Sequence, residues 1–234
     1  MGGLTIFSLL FPARCTICDG VLPIGQEGIC TRCRSGIQYL NGPLCYKCGK
    51  PIKEEEEYCY DCSRKSHWFK EAAALFPYAY IRPSLYRFKY NGRQEYGRFF
   101  ANQMAMRLTD KVRRWKPQAL VPVPMYHRKK RIRGYNQAEI LARELSRIWN
   151  IPMLENLVVR VKNTRPMKET DGTERQNNLK KAFKLAKNDV KLNTIIIIDD
   201  IYTTGSTVDA IAKVCREGGI STIYVLSVSI GHGF

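Results

Sequence analysis

Eight of the nine cysteines fall between residues 15 and 62, as four copies of one Cys-x-x-Cys unit: CTIC (Cys15, Cys18), CTRC (Cys30, Cys33), CYKC (Cys45, Cys48) and CYDC (Cys59, Cys62). Eleven, eleven and ten residues separate successive pairs. Two thiolates at this spacing turn back onto one tetrahedral ion, and two such units fill its shell. Glycines in CDG and CGKP let backbone amides approach the sulfurs in tight turns. A disulfide framework would need an oxidising compartment. The N-terminal stretch MGGLTIFSLLFPARC has neither the basic region nor the small-residue cleavage site of an export signal. Eight ligands therefore predict two closed structural zinc sites in a segment too small to hold itself together by apolar burial. Sequential pairing places Cys15, Cys18, Cys30 and Cys33 on one ion and Cys45, Cys48, Cys59 and Cys62 on the other, a double zinc ribbon. Interleaved pairing, first with third and second with fourth, stays open at this point. With all positions taken by thiolate, neither ion has room for substrate. The ninth cysteine, Cys215, shares helical spacing with Val208, Ile211 and Ala212 and reads as a small buried hydrophobe.

The apolar run at 4–11 is too short to span a bilayer and is expected to pack on the protein. No later stretch approaches a membrane span, so the chain reads as soluble and cytoplasmic. The acidic run at 54–57 reads as a solvated loop. Composition changes near residue 66, which divides the chain into a zinc-binding double ribbon, 1–65, and a larger second domain, 66–234. In the second part strands alternate with amphipathic helices, the pattern of an α/β fold with a mostly parallel central sheet flanked by helices. Strands are predicted at 76–81 (FPYAYI), 119–124 (ALVPVP), 194–199 (TIIIID) and 222–230 (TIYVLSVSI). Helices are predicted at 94–115, at 134–149 with Ala138, Leu141, Leu145 and Ile148 on one face, and at 204–217. The uninterrupted isoleucines suit a central strand covered on both sides.

The charge balance is unusual. Lys and Arg total 38 against 21 acids, for a net +17. Residues 1–70 contribute 9 basic and 7 acidic side chains, so the excess belongs to the second part. Such a surface suits a polyanionic partner.

In sheets of this kind ligands bind beyond the carboxyl ends of the strands. There, TIIIIDDIYTTGST (194–207) runs an apolar strand into Asp199 and Asp200, whose adjacent carboxylates suit the vicinal hydroxyls of a ribose, or a divalent cation. The turn after them opens a helix. Its free N–H groups, the helix dipole and the hydroxyls of Thr203, Thr204, Ser206 and Thr207 make an anion seat, with Gly205 permitting close approach of a phosphate. A sugar phosphate fits both halves. A second loop, VPVPMYHRKKRIRGYNQAEILA (121–142), packs Arg128, Lys129, Lys130, Arg131 and Arg133 into six positions. Five like charges so close call for an anion.

IIIIDDIYTTGST resembles the signature of type I phosphoribosyltransferases. The resemblance implies that Asp199 and Asp200 face the ribose hydroxyls of phosphoribosyl diphosphate, delivered with magnesium, and that 203–207 hold its 5′-phosphate. It places the basic loop at the diphosphate or at a DNA phosphate. Four cysteine pairs, then VPVP…RGYNQ, then this signature, together resemble the ComF family of bacterial competence proteins over nearly the whole chain. RGYNQ (133–137) adds family identity without a role. Thr164, Arg175 and Asn178 match a segment usual before the signature, with Met167 where glutamine is usual.

The resemblance implies handling of incoming single-stranded DNA on the cytoplasmic side of the membrane, with a DNA-uptake motor or single-strand-binding proteins as partners. YRFKYNGRQEYGRFF (86–100) interleaves aromatics and cations. It offers Tyr86, Phe88, Tyr90 or Tyr96 for stacking beside Arg87, Lys89 and Arg93. The alternative is an active phosphoribosyltransferase displacing diphosphate with a nitrogen nucleophile. A third reading makes the sugar phosphate a ligand that regulates uptake.

Overall fold

The computed structural model describes residues 12–162, 182–186 and 191–231. The run at 4–11 and the positions Thr164, Met167, Arg175 and Asn178 lie outside them. In chain order the described elements are α1 (Thr31–Ser35), α2 (Tyr60–Arg64), β1 (Glu71–Pro77), α3 (Tyr78–Tyr90), α4 (Tyr96–Trp115), β2 (Ala119–Pro122), α5 (His127–Arg133), α6 (Gln137–Trp149), β3 (Val158–Arg160), β4 (Phe183–Leu185), β5 (Thr194–Tyr202), α7 (Ser206–Glu217) and β6 (Thr222–Ile230).

Four strands form one parallel sheet in the order β1-β6-β5-β2. Alternation along β5 divides its isoleucines between two apolar layers. Ile196 and Ile198 pack with α3, α4 and α6, whereas Ile195 and Ile197 pack with α7 and the antiparallel pair β3–β4. Cys215 of α7 is fully buried, and burial pushes its thiol up to about 12, as suits an inert core residue.

The segment 76–81 corrects the sequence reading. The strand is Glu71–Pro77, paired along β6 from Glu71 to Pro77, and a helix begins at Tyr78. Pro77 has φ −60° and caps the helix start, while Pro83 lies inside the helix. An interior proline removes one backbone bond and restricts the preceding residue. Burial of Ile81, Ser84, Leu85 and Phe88 on one helical face outweighs that cost. The other helices start two or three residues later than predicted. In α6, Ala138, Leu141 and Leu145 are buried but Ile148 is 44% exposed.

The two ribbons repeat one design. In each, a hairpin bridge (Arg14 to Val21, Leu44 to Pro51) frames the first cysteine pair, and a one-turn helix, α1 or α2, starts just after the third cysteine. Both ribbons close the sheet's β1 edge: Leu40 N–H donates to Leu75 C=O and Ala72 N–H to Lys47 C=O. Backbone bonds at these two points blunt the edge against pairing with another chain. Cys15, Leu22 and Ile29 join the α4-side core; Cys45, Cys48 and Cys59 join the α7-side core.

Candidate functional site

The two acids do not clear the sheet at a turn. β5 continues through Tyr202, so Asp199 and Asp200 point to opposite faces within its last turns of pleat. β2 ends beside Ile198, which leaves this end of β5 open on that side. Asp200 is buried on the α3 side, where Lys89 Nζ lies 2.6 Å from its Oδ2. Asp199 Oδ1 accepts the Asp200 N–H at 2.8 Å. Burial, with the Asp200 charge alongside, pushes the Asp199 carboxyl up to about 8. Burial alone would lower the Lys89 ammonium, but the charge and bond of Asp200 hold it above the ordinary lysine range.

Lys89, which entered the sequence reading as a DNA contact, pairs with Asp200 of the acid pair. Arg160 of β3 was missed altogether. It lies within electrostatic reach of Asp199, and burial lowers its guanidinium. Burial, with Arg160 and Arg133 nearby, also lowers the Lys129 ammonium. Lys89 and Arg160 thus act on the two carboxylates directly, with Arg133 close to Lys89.

The predicted basic loop is a helix, α5, and its cations diverge accordingly. Lys130 is tied to Glu139 at 2.7 Å and Glu155 at 3.4 Å. Arg128 and Arg131 point to solvent. Arg133 sits over the Tyr90 ring at 4.8 Å and donates to Gln137 Oε1 at 2.7 Å. RGYNQ acquires a structural role here. Gly134, at φ +84°, ends α5 in the left-handed region. Asn136 caps α6 through its side chain and donates to Val123 C=O. Tyr135 Oη and Gln137 Nε2 both donate to the Phe88 carbonyl, one of the acceptors left open at the end of α3. The motif therefore fixes the last turn of α3, and with it Lys89, against the basic helix.

Beyond β5 the chain turns through 203–205 into α7. Thr204 Oγ1 and Ser206 Oγ lie 2.9 Å apart, Thr203 is exposed and Thr207 is half-buried. Gly205 is the N-cap at φ +73°, and a Cβ there would lie 2.4 Å from Tyr202 Oη. Gly205→Ala combines a left-handed strain with this clash. It is expected to cost about 1–3 kcal/mol in urea unfolding, and Tyr202→Phe in the same chain is expected to recover part of the loss. Asp209, in the first turn of α7, is buried. It accepts Trp68 N–H at 3.0 Å, bonds His67 Nδ1 at 2.6 Å and pairs with Lys65 at 3.2 Å. The turn is thereby tied to the segment leaving the second ribbon.

The cysteines gather in sequential order, Cys15, Cys18, Cys30, Cys33 and Cys45, Cys48, Cys59, Cys62, each set with sulfurs within 4.8 Å of one another. Zn–S bonds of about 2.3 Å in a tetrahedron place sulfurs about 3.8 Å apart. Cys18 and Cys30 are at 3.9 Å, and Cys48 and Cys59 at 3.6 Å. Gly20 N–H holds the Cys18 thiol down at about 7, whereas burial and its three neighbours push Cys33 up to about 12. Four thiols packed so closely can all ionise only around a dication. The residues fit two structural zinc ions, and the interleaved pairing is excluded.

The stretch 86–100 separates into inner and outer residues. Phe88 and Tyr96 are fully buried. Arg87 donates to Ile17 C=O at 2.7 Å, and Arg93 lies 3.5 Å from Asp19, so both hold the first ribbon. Tyr86 and Tyr90 stay outside, 59% and 61% exposed, with ring centroids 5.0 Å apart. Arg82 shares their face and is exposed.

A family model described as a double zinc ribbon domain matches residues 6–63. Competence protein F of Haemophilus influenzae is 34% identical over 223 residues, covering 92% of this chain and 96% of that protein. DNA utilization protein YhgH of Escherichia coli K12 is 28% identical, covering 93% and 96%. Competence protein ComFC of Bacillus subtilis is 30% identical, covering 83% and 80%. Among solved structures, adenine phosphoribosyltransferase of Saccharomyces cerevisiae covers 58% of this chain and 68% of its own, at 12% identity and a TM-score of 0.37. Purine phosphoribosyltransferase of Pyrococcus horikoshii Ot3 covers 57% and 80%, at 18% and 0.36. At 34% identity to competence protein F across almost the full length of both, the chain belongs to the competence protein F/ComFC family.

Proposed function

We propose that the protein handles incoming single-stranded DNA on the cytoplasmic side of the membrane during natural transformation. A pocket for phosphoribosyl diphosphate, or a related sugar phosphate, stands beside the DNA path. The names of the relatives, competence and DNA utilization proteins, support the setting. Among the described residues no helix is long and apolar enough to cross a membrane. In this reading a DNA-uptake motor or single-strand-binding proteins serve as its partners at the inner membrane face.

One observation carries the DNA reading: the outer face of α3 with its continuation into α5. Arg82, Tyr86 and Tyr90 recur at i, i+4 and i+8, a run of about 12 Å, and Arg133 covers the last ring. Beyond it Arg128 and Arg131 extend the charge. Rings that accept any base beside cations that track the phosphates are how single strands are held without sequence preference. In fluorescence anisotropy with a labelled oligonucleotide, Tyr86→Ala and Tyr90→Ala are each expected to weaken binding by about 1–3 kcal/mol. The dependence on salt should be unchanged in these variants. Arg128→Ala with Arg131→Ala is expected to flatten that dependence by about 0.7 per lost phosphate contact. A tyrosine double variant that binds as the parent does would sink the assignment.

The acid pair, the Thr203, Thr204, Gly205, Ser206, Thr207 turn and the Lys129–Arg133–Arg160 cations favour a second reading of the pocket. They suit a ribose, a 5′-phosphate and a diphosphate carrying magnesium, the substrate of a phosphoribosyltransferase. Calorimetry with phosphoribosyl diphosphate and magnesium, with and without single-stranded DNA, tests binding. Release of diphosphate in the presence of a nucleobase tests turnover.

A further inference from the structure

The ammonium of Lys89 occupies the position from which a cation would have to approach Asp200. It is 2.6 Å from Oδ2, and the two side chains are only 20% and 12% exposed. A divalent ion would coordinate that oxygen at about 2.1 Å, so ammonium and metal cannot share it. The lysine is also aimed rather than free to sample the surface. The carbonyl of the preceding residue, Phe88, is held by Tyr135 and Gln137, and the next residue, Tyr90, lies under Arg133. The surroundings reinforce the exclusion. Among the described residues, Arg133 lies within electrostatic reach of Lys89, and Arg160 within reach of Asp199.

We propose that Lys89 is a built-in counter-ion that closes the acid pair to free divalent cations and yields only to a ligand able to take its charge. The proposal rests on the reading of Asp199 and Asp200 as a ligand seat. Lysine suits this task, being a compact charge on a flexible four-carbon stem. The ligand class follows from the exchange. A neutral polyol brings hydroxyls for Asp199 and Asp200 but nothing for the displaced ammonium, and a bare metal ion meets that ammonium in its path. A sugar phosphate that is anionic on the α5 side supplies both: hydroxyls for the acids, and oxyanions to which Lys89 can swing alongside Arg133. Lys89 is then a positioning residue that sets specificity by requiring the two chemistries in one molecule.

The test uses the full zinc-loaded chain and manganese(II) as probe, read by electron paramagnetic resonance. The parent is expected to bind manganese at this site no more tightly than millimolar. Lys89→Gln and Lys89→Met are expected to bind it at least tenfold more tightly, and adding Asp200→Asn should abolish the gain. Lys89→Arg, which keeps the charge, is expected to stay silent. Thermal melts establish that each variant is folded. The arginine variant against Lys89→Met keeps the comparison decisive if the glutamine variant is unstable. The proposal is overturned if the parent already binds manganese as tightly as the neutral variants, or if folded neutral variants gain nothing. Calorimetry of the parent with phosphoribosyl diphosphate separates the two ideas. A parent that ignores that ligand refutes the seat reading, while the manganese result still decides what Lys89 does.

Discussion

Replacing Cys45 and Cys48 with serine is expected to release one zinc ion per chain, lower the melting temperature by about 10 °C or more and loosen the Thr203, Thr204, Gly205, Ser206, Thr207 turn. Structural zinc in small modules supplies about 10–16 kcal/mol of apparent folding free energy, against a net domain stability of about 5–15 kcal/mol. The second ribbon has no comparable core of its own to fall back on. Its cysteines are part of the apolar layer that also holds Ile195, Ile197 and Tyr202. Phe69 meets Tyr202 edge to face at 6.2 Å and stacks on His67 at 4.8 Å. Tyr202 in turn lies under Gly205, and Asp209 clamps the start of α7 to His67 and Trp68. Loss of the ion is thus passed to the turn through two packed contacts. The first ribbon predicts a different pattern. Its contacts run to α3 and α4, through Arg87 to Ile17 and through Tyr96 to Asp19 and Cys15. Cys15→Ser with Cys18→Ser should therefore raise amide exchange at 82–93 and spare 202–209. Hydrogen exchange on the two variants, with zinc counted colorimetrically, distinguishes them. Equal protection of 202–209 in the Cys45/Cys48 variant and the parent would show that the second ribbon is an independent appendage.

What the sequence disclosed follows the range over which each signal acts. The Cys-x-x-Cys spacing is local and its coordination chemistry admits few solutions, so the two metal sites are legible before any fold is known. The isoleucines of β5 are legible for a related reason, since only a strand covered on both faces uses four in a row. At 76–81, local signals conflict. FPYAYI alternates like a strand, yet Ile81, Leu85 and Phe88 need α3 to reach the core. Tertiary burial decides, and it acts between residues far apart in sequence. Lys89 and Asp200 are separated by 110 positions, and nothing near Lys89 distinguishes it from Arg87, which holds the first ribbon instead. Arg160 sits in VVRVKN, a stretch with no chemical signal at all. The basic run was visible, but helical geometry distributes its charges: Lys130 goes to Glu139, Arg133 to Tyr90, Arg128 and Arg131 to solvent. RGYNQ was recognisable as a pattern, while its work of holding the end of α3 against α5 required the Phe88 carbonyl to be in place.

Asp199→Asn is expected to make the protein more stable at pH 8 and nearly unable to bind phosphoribosyl diphosphate. The carboxyl is raised to about 8 because burial and the Asp200 charge disfavour its anion, more than Lys89 offsets. A carboxyl whose folded value lies above its unfolded value, near 4, stabilises the fold fully below pH 4, and that contribution is lost as the pH rises towards 8. The advantage of asparagine should therefore be near zero at pH 4 and largest above pH 8. About 1–3 kcal/mol is expected, since solvent reaching the partly buried carboxyl screens part of the cost. Binding runs the other way. Accepting two ribose hydrogen bonds requires the anion, so affinity in the parent should rise on the order of 20-fold from pH 6.5 to 8.5. The phosphate of the ligand completes its own second ionisation near pH 6 and accounts for little of that rise. In Asp199→Asn the affinity should be at least 100-fold lower and nearly flat over the same interval. The groups facing Asp199 limit other origins for the slope. Asp200 and Lys89 are already engaged with each other, and Arg160, a guanidinium, keeps its charge throughout. Urea unfolding and calorimetry at the same four pH values test both halves together. A residue retained at a cost to the fold, whose removal strengthens the protein and empties the pocket, is placed there for a ligand. An asparagine variant that is less stable than the parent, or that keeps the pH slope in binding, would show that Asp199 belongs to the architecture of β5 and not to the site.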